Sequence, residues 1–245
     1  LQFIKIQALM ILFYSKNTTI NHNEIVINDQ ENRHLTKVLR KKTGDLIHVT
    51  NGEGVLFKCV IEESNKYESI LRIHDYSIFN NDFPKLKIGI SLTKKTDRFE
   101  WFLEKATEIG VSEITPIISD NSERNRFNHE RATKLLLSAM KQSLQYKLPI
   151  LNNPISFLDY ISKRDDYFDS YIATCLGDGL DLFNKKLCKG NNSDILIGPE
   201  GGFNLSEIDL AKKANFVPVS LGENRLRTET AGVVVCSIFS NINYT

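Results

Sequence analysis

Residues 194–208 read DILIGPEGGFNLSEI, and the fold follows from this stretch. The apolar run Ile195–Ile197 is too short for a helix and predicts a buried strand. Gly198-Pro199-Glu200-Gly201-Gly202 then ends it, and Asn204 followed three residues later by Glu207 has the spacing of a helix capping box. A strand that leaves through glycines into a helix amino terminus is a natural ligand site. The glycines let a ligand approach the backbone, and the first helical turn offers unpaired N–H groups. The spacing is neither G-x-x-x-x-G-K-[ST] nor G-x-G-x-x-G, which excludes the triphosphate loop and the usual dinucleotide loop.

A second exit of the same kind follows at residues 216–235, FVPVSLGENRLRTETAGVVV. It predicts a strand, then Gly222, then two arginines, Arg225 and Arg227, then a helix capped by Thr228. Arginines at a strand exit suit carboxylate or phosphate groups. Two such exits in succession predict one shared ligand pocket.

Working outward, LKIGISL, EITPIIS and SYIATC read as further strands. They alternate with helices over RFEWFLEKATEIGV, ending at Gly110, and HERATKLLLSAMKQSLQ, whose apolar residues recur three and four apart. Strands separated by helices predict an α/β, largely parallel sheet covered on both faces.

The first part of the chain reads differently. From Met10 to about Asp82 it is mostly strand, with a hairpin turning at Asn51 to Gly54 and one helix over ENRHLTKVLRKK capped by Asp29. Asn80 to Pro84, NNDFP, reads as a linker, so the expected domains are 10–82 and 83–245. Residues 1–9, LQFIKIQAL, precede the first methionine and are expected to be a non-native or upstream leader.

The composition, with 31 Lys and Arg against 30 Asp and Glu and 41% hydrophobic residues, is that of a soluble globular protein. The charge is uneven: residues 85–147 are basic and residues 148–245 acidic. Arg33, Lys37, Arg40, Lys41 and Lys42 follow one another with no acid between them, a pattern suited to RNA phosphates. Cys59, Cys175, Cys188 and Cys236 form no C-x-x-C pair and have no histidine at metal spacing, so no metal is expected and a reducing compartment is. The apolar run at 8–14 is too short to span a bilayer, so no membrane association is expected and the cytoplasm is the expected location.

HLTKVLRKKTGD, DRFEWFLEKATEIGVSEITPIISDNSER, AMKQSLQ, IGPEGGF and LGENRLRTETA together resemble the RsmE-type ribosomal small-subunit RNA methyltransferases of the SPOUT superfamily, which make 3-methyluridine. The stretches follow the family's order over nearly the whole chain. The resemblance implies an amino-terminal PUA-like β-barrel domain for RNA binding and a carboxy-terminal methyltransferase domain with a deep trefoil knot. It also implies a homodimer and S-adenosylmethionine held by the knotted loops. By resemblance the cofactor site is Leu196, Ile197, Gly198, Pro199, Glu200, Gly201, Gly202, Leu221, Gly222, Arg225, Leu226, Arg227, Thr230 and Ala231.

The chemistry so implied is methylation of the ring nitrogen N3 of a uridine in 16S ribosomal RNA. That nitrogen must lose a proton, which calls for a general base or a cation to stabilise the developing anion. Arg225 and Arg227 are candidates for the cation, and Glu229 and Glu200 for the acceptor. Because N3 is on the pairing edge, the target must be unpaired or flipped out. The RNA is expected to lie against Arg33, Lys37, Arg40, Lys41 and Lys42 of the first domain and Lys94, Lys95, Arg98, Arg124 and Arg126 of the second. Glu104, Lys105 and Glu108 are expected to pair among themselves. The alternatives are a SPOUT enzyme on another RNA and a non-catalytic RNA-binding ribosome-assembly factor.

Overall fold

The computed structural model describes residues 11–79, 83–177 and 179–244. The leader expected over 1–9 and the linker centre over 80–82 lie outside the described residues. By its contacts the chain divides into two compact units. One comprises the residues up to the linker together with Leu137–Leu148, the other Asp82–Leu136 and Pro149–Thr245.

The first unit is a five-stranded mixed sheet of β1 (Leu12–Tyr14), β2 (Glu24–Asn28), β3 (Leu46–Thr50), β4 (Val55–Ser64) and β5 (Glu68–Ile78). Their spatial order is β1-β3-β4-β5-β2. The hairpin expected at Asn51 to Gly54 is β3 paired antiparallel with β4, Ile47 opposite Cys59 and Val49 opposite Phe57. These four residues alternate with outward-facing ones and are all buried, as a strand period of two requires. Leu35 packs into the same core, where it joins Phe13, Ile25 and Leu71.

The basic helix differs from the expectation. It comprises a short α1 (Asp29–Arg33) continued by a π-helical turn at His34–Val38, and it stops before Arg40 rather than running to Lys42. Arg40 has φ 53°, which an α-helix cannot propagate. Asp29 does not cap it: Asn28 occupies that position without a side-chain hydrogen bond, and Asp29 lies inside the helix at φ 48°. Leu137–Leu148 belongs to this unit because its backbone completes the hairpin loop. The Leu148 amide donates to the Gly52 carbonyl at 2.8 Å, and Thr50 Oγ1 donates to the Tyr146 carbonyl at 3.0 Å.

The second unit is a parallel sheet of β6 (Leu86–Ser91), β7 (Glu113–Ile118), β8 (Ile150–Leu151), β9 (Ile155–Ser156), β10 (Asp169–Ala173), β11 (Ser193–Ile197) and β12 (Val217–Val219). The order is β12-β10-β11-β6-β7-β8, with β9 also on β7. Every pairing in it is parallel, so each strand needs a crossover, and helices supply them. These are α2 (Thr96–Ile109), α3 (His129–Gln142, whose residues from Leu137 on fall in the first unit), α4 (Phe157–Ser162), α5 (Phe183–Lys186) and α6 (Leu205–Lys213), whereas β8 runs to β9 without a helix and α7 (Thr228–Asn243) follows the last strand. Helix α2 ends as expected at Gly110, whose φ is 100°. Lys105 bridges Glu104 at 2.7 Å and Glu108 at 2.9 Å, the self-contained pairing expected of that face. The central strand β11 is buried along its whole length, including Asp194.

Candidate active site

The carboxyl ends of β10, β11 and β12 lie side by side, and a cleft opens beyond them. Ligands of open α/β sheets gather at such ends, where loops replace the ladder and backbone groups become free. The two glycine-rich exits meet here. Ile197 to Phe203 form one wall, and Leu221, Gly222, Asn224, Arg225 and Leu226 form the other.

The first exit is built as the sequence indicates and is braced from outside. Asn204 Oδ1 accepts from the Glu207 amide at 2.8 Å, and Glu207 Oε2 accepts from the Asn204 amide at 2.9 Å, closing the capping box. The other oxygen of Glu207 accepts from the Asp120 amide at 2.9 Å, and Asn121 Nδ2 donates to the Gly202 carbonyl at 2.9 Å. The loop after β7 therefore holds the glycine loop in place. Glu200 Oε1 accepts from the Lys94 amide at 3.0 Å, which adds a tie to the loop after β6.

The second exit departs from the expectation at one residue. Thr228 does not cap α7: Arg227 is the cap residue, and Thr228 is the first residue of the helix. Its buried hydroxyl instead donates to the Gly198 carbonyl at 3.0 Å and joins the two exits. A tertiary acceptor in reach outweighs the local capping role that residue type and position suggest.

Of the residues expected to hold a cofactor, Ile197, Gly198, Pro199, Glu200, Gly201, Gly202, Leu221, Gly222, Arg225, Leu226 and Ala231 line the cleft. Leu196, Arg227 and Thr230 do not. Leu196 is in the core between sheet and helices, and Arg227 is exposed at the helix start. Ala173, Thr174, Cys175 and Leu176, at the end of β10, also line the cleft and were not anticipated. Gly177 and Gly179 follow them in the sequence, a glycine signal that marks a strand exit but not which cleft it joins. Only the placing of β10 between β11 and β12 brings them in, and strand order is not a local property of sequence.

A ligand with a partly apolar body fits the lining of this cleft. A β-carbon added at Gly202 or Gly222 would meet no protein atom within 4 Å, so the space beside both glycines is open. Leu176, Leu221 and Leu226 supply apolar wall, and the backbone of residues 198–203 supplies polar groups.

The candidate proton acceptors separate. Glu200 is in the cleft wall, whereas Glu229 is buried in the first turn of α7 and faces Arg98 of α2, with Arg98 Nε 3.6 Å from Glu229 Oε1. Arg225 is exposed at the cleft. Of the candidate RNA contacts, Lys94, Lys95 and Arg126 are exposed, and Arg98 and Arg124 are half-buried. Lys94 pairs with Glu123 at 2.7 Å, which holds its ammonium pKa above the ordinary lysine value. In the first unit Arg33, Lys37, Arg40 and Lys42 are exposed, and Lys41 is half-buried. Arg33 and Lys37 line a groove there with His34, Lys141 and Gln142.

At the opposite, amino end of the parallel sheet lies a separate polar cavity, lined among others by Lys87, Glu113, Asn152, Tyr160 and Asp194. The Tyr160 hydroxyl donates to Asp194 Oδ1. Burial pushes the Asp194 carboxyl up to about 7, against the opposing pull of that hydrogen bond. Among the described residues no group of three or more His, Cys, Asp and Glu side chains is arranged to hold a metal ion, and no helix is long and apolar enough to cross a membrane.

Known proteins match this architecture. Residues 81–240 match an RNA methyltransferase domain family, and residues 27–73 match an RNA methyltransferase PUA domain. The chain is 31% identical over 235 residues to the ribosomal RNA small subunit methyltransferase E of Mesomycoplasma hyopneumoniae, covering 90% of each. It is 26% identical to the protein of the same name from Bacillus subtilis, covering 87% of this chain and 88% of that one. A probable rRNA-methyltransferase from Porphyromonas gingivalis has the same fold with a TM-score of 0.89 and 35% identity, over 96% of this chain and 99% of that one. So does the Neisseria gonorrhoeae ribosomal RNA small subunit methyltransferase E, solved bound to S-adenosyl methionine, with a TM-score of 0.84 and 23% identity over 96% and 98%. A PUA-type mixed sheet, a parallel-sheet domain with its cleft at the strand ends, and a relative above 30% identity across almost the full length lead to one conclusion: the chain belongs to the ribosomal RNA small subunit methyltransferase E family of RNA methyltransferases.

Proposed function

We propose that this protein methylates N3 of a uridine in the 16S RNA of the small ribosomal subunit, using S-adenosylmethionine bound in the cleft at the ends of β10, β11 and β12. The observation that carries this reading is the meeting of the two glycine-rich exits, tied by Thr228 to Gly198, around space that both leave open.

When bound there, S-adenosylmethionine supplies a methyl group already activated by its sulfonium, so the protein's work is alignment, exclusion of water and handling of one proton. Gly198 to Gly202 and Leu221 to Leu226 hold the donor between them. Arg225, the arginine in the cleft wall, stabilises negative charge developing on the uridine as N3 loses its proton. Arginine cannot accept that proton at ordinary pH. Glu200 is the carboxylate of the facing wall, fixed through the Lys94 amide, and takes the acceptor role. The exposed cations of the two units, among them Arg33 and Lys37 in the first and Lys94 and Lys95 in the second, contact RNA phosphates.

The family resemblance supports a homodimer, and the exposed Trp101, Leu158 and Leu205 of the second unit offer apolar surface for it. A ribosomal RNA substrate supports a cytoplasmic location. The test is transfer from labelled S-adenosylmethionine to small subunits that lack the modification, with the RNA digested to nucleosides. Label in 3-methyluridine is expected. Label in another nucleoside would move the reading to a related enzyme on a different target, and donor binding without transfer to any RNA would favour the assembly-factor alternative.

A further inference from the structure

The ion pair of Arg98 and Glu229 has no part in the mechanism so far. Glu229 is one residue beyond Thr228 of the cleft, and its side chain is only 8% exposed; Arg98, in the first turn of α2, is 30% exposed. The contact is long, at 3.6 Å, and the other carboxylate oxygen, Oε2, is buried with no hydrogen-bond partner among the described residues. For stability alone this is a poor arrangement, since a buried carboxylate with one long contact is costly and an apolar residue would serve as well. The pair does orient a cation. Guanidinium is a rigid planar fork, and engaging its Nε leaves both terminal amino groups for another acceptor.

The neighbours show which acceptor. Lys94 and Lys95, just before α2, are exposed, so three cations follow within five residues. This row is fastened at two points, one in the cleft wall and one in the helix behind it. The Lys94 amide is held by Glu200 of the first exit, and Arg98 is held by Glu229 in the helix that follows the second.

We infer that Glu229 is a positioning residue: it holds the Arg98 guanidinium so that its free amino groups grip a phosphate of the target RNA beside the transfer cleft. The inference rests on the RNA methyltransferase reading above and removes Glu229 from the list of proton acceptors.

The test uses the full chain, with Glu229→Gln and Arg98→Lys compared with wild type. Binding of single-stranded oligouridine is followed across salt concentrations, donor binding by calorimetry, and transfer to unmethylated small subunits as kcat and KM separately. Removing the Glu229 charge makes the protein more positive, so a role through net charge alone would tighten oligouridine binding. Positioning predicts the reverse. Glu229→Gln binds about 5-fold more weakly, its log-log salt slope shrinks by about 0.7 as for one lost single-strand phosphate contact, and kcat/KM falls through KM. Arg98→Lys keeps the charge, lacks the fork, and raises KM in the same way. Oligouridine binding by Glu229→Gln as tight as wild type or tighter overturns the inference, as does loss of its donor binding, which would make Glu229 a support of the donor pocket. Failure of the underlying reading is distinguishable, because the wild-type chain itself would then transfer no methyl group to the subunits.

Discussion

The Thr228 hydroxyl donates to the Gly198 carbonyl at 3.0 Å, joining the start of α7 to the exit of β11 thirty residues earlier in the chain. Both groups are in the cleft wall, so this hydrogen bond ties together the two loops that would enclose the methyl donor.

Thr228→Val keeps the shape of the side chain and removes the donor. The half-buried Gly198 carbonyl then loses this partner, at a cost of about 1 kcal/mol. Thermal unfolding is expected to shift down accordingly, and calorimetric affinity for S-adenosylmethionine to fall. Thr228→Ser restores both. Unchanged donor affinity in the valine variant would mean the loops keep their spacing without this bond.

Gly198→Ala tests the close approach at the first exit. An added β-carbon would lie 3.1 Å from the Phe203 backbone nitrogen and 3.2 Å from Phe203 Cδ2. The backbone atom cannot give way as a side-chain end would, so the turn must open. Donor affinity is expected to drop about 10-fold or more, as small displacements of a positioned site commonly cause. A structure of the variant with the loop unmoved would contradict this.

Arg225→Ala should lower kcat more than it lowers stability. The side chain is exposed, so unfolding changes by about 0.5 kcal/mol or less. Loss of one group that stabilises developing negative charge is expected to cost about 100-fold in kcat. Arg227→Ala, outside the cleft, should cost less. Equal losses in the two would remove the distinction drawn from the cleft.

Asp194 gives a dependence of stability on pH opposite to that of a paired surface carboxylate. Its pKa rises from 3.8 in the unfolded chain to about 7 in the fold, chiefly through burial. The folded state therefore holds the proton more tightly. The stability this provides is fully present below pH about 4 and is lost as pH rises through about 7. Denaturant titrations of wild type and Asp194→Asn should differ by a slope confined to that window, the wild type declining more steeply with rising pH. Parallel curves would show that the carboxyl stays ionised in the fold. Asp75, Asp165 and Glu130, whose pKa values are lowered chiefly by hydrogen bonds, run the other way, so the comparison with the asparagine variant is needed to isolate Asp194.

Much of this protein was determined locally by its sequence. The capping box of Asn204 and Glu207, the end of α2 at Gly110, the hairpin at Asn51 to Gly54 and the alternation of strand and helix beyond the linker all depend on neighbours a few residues apart. Backbone sterics and side-chain period set such features whatever the rest of the chain does. The glycine-rich exits were legible for the same reason, since few residue types tolerate their conformation.

Tertiary structure decided what depends on partners distant in the chain. Thr228 left its expected capping role because the Gly198 carbonyl came within reach, and the basic helix passes from α to π at His34 and ends before Arg40, with Leu35 in the core of the sheet. Ala173 to Leu176 entered the cleft only because β10 lies between β11 and β12, an order with no signature in any one segment. Glu229 and Arg98 were both singled out by residue type, but that they face each other follows from the packing of α2 on α7. Local pattern fixes the kind of element and the chemistry it carries; which of those groups meet is settled by the packing of apolar faces over the whole chain, and a site is made of the groups that meet.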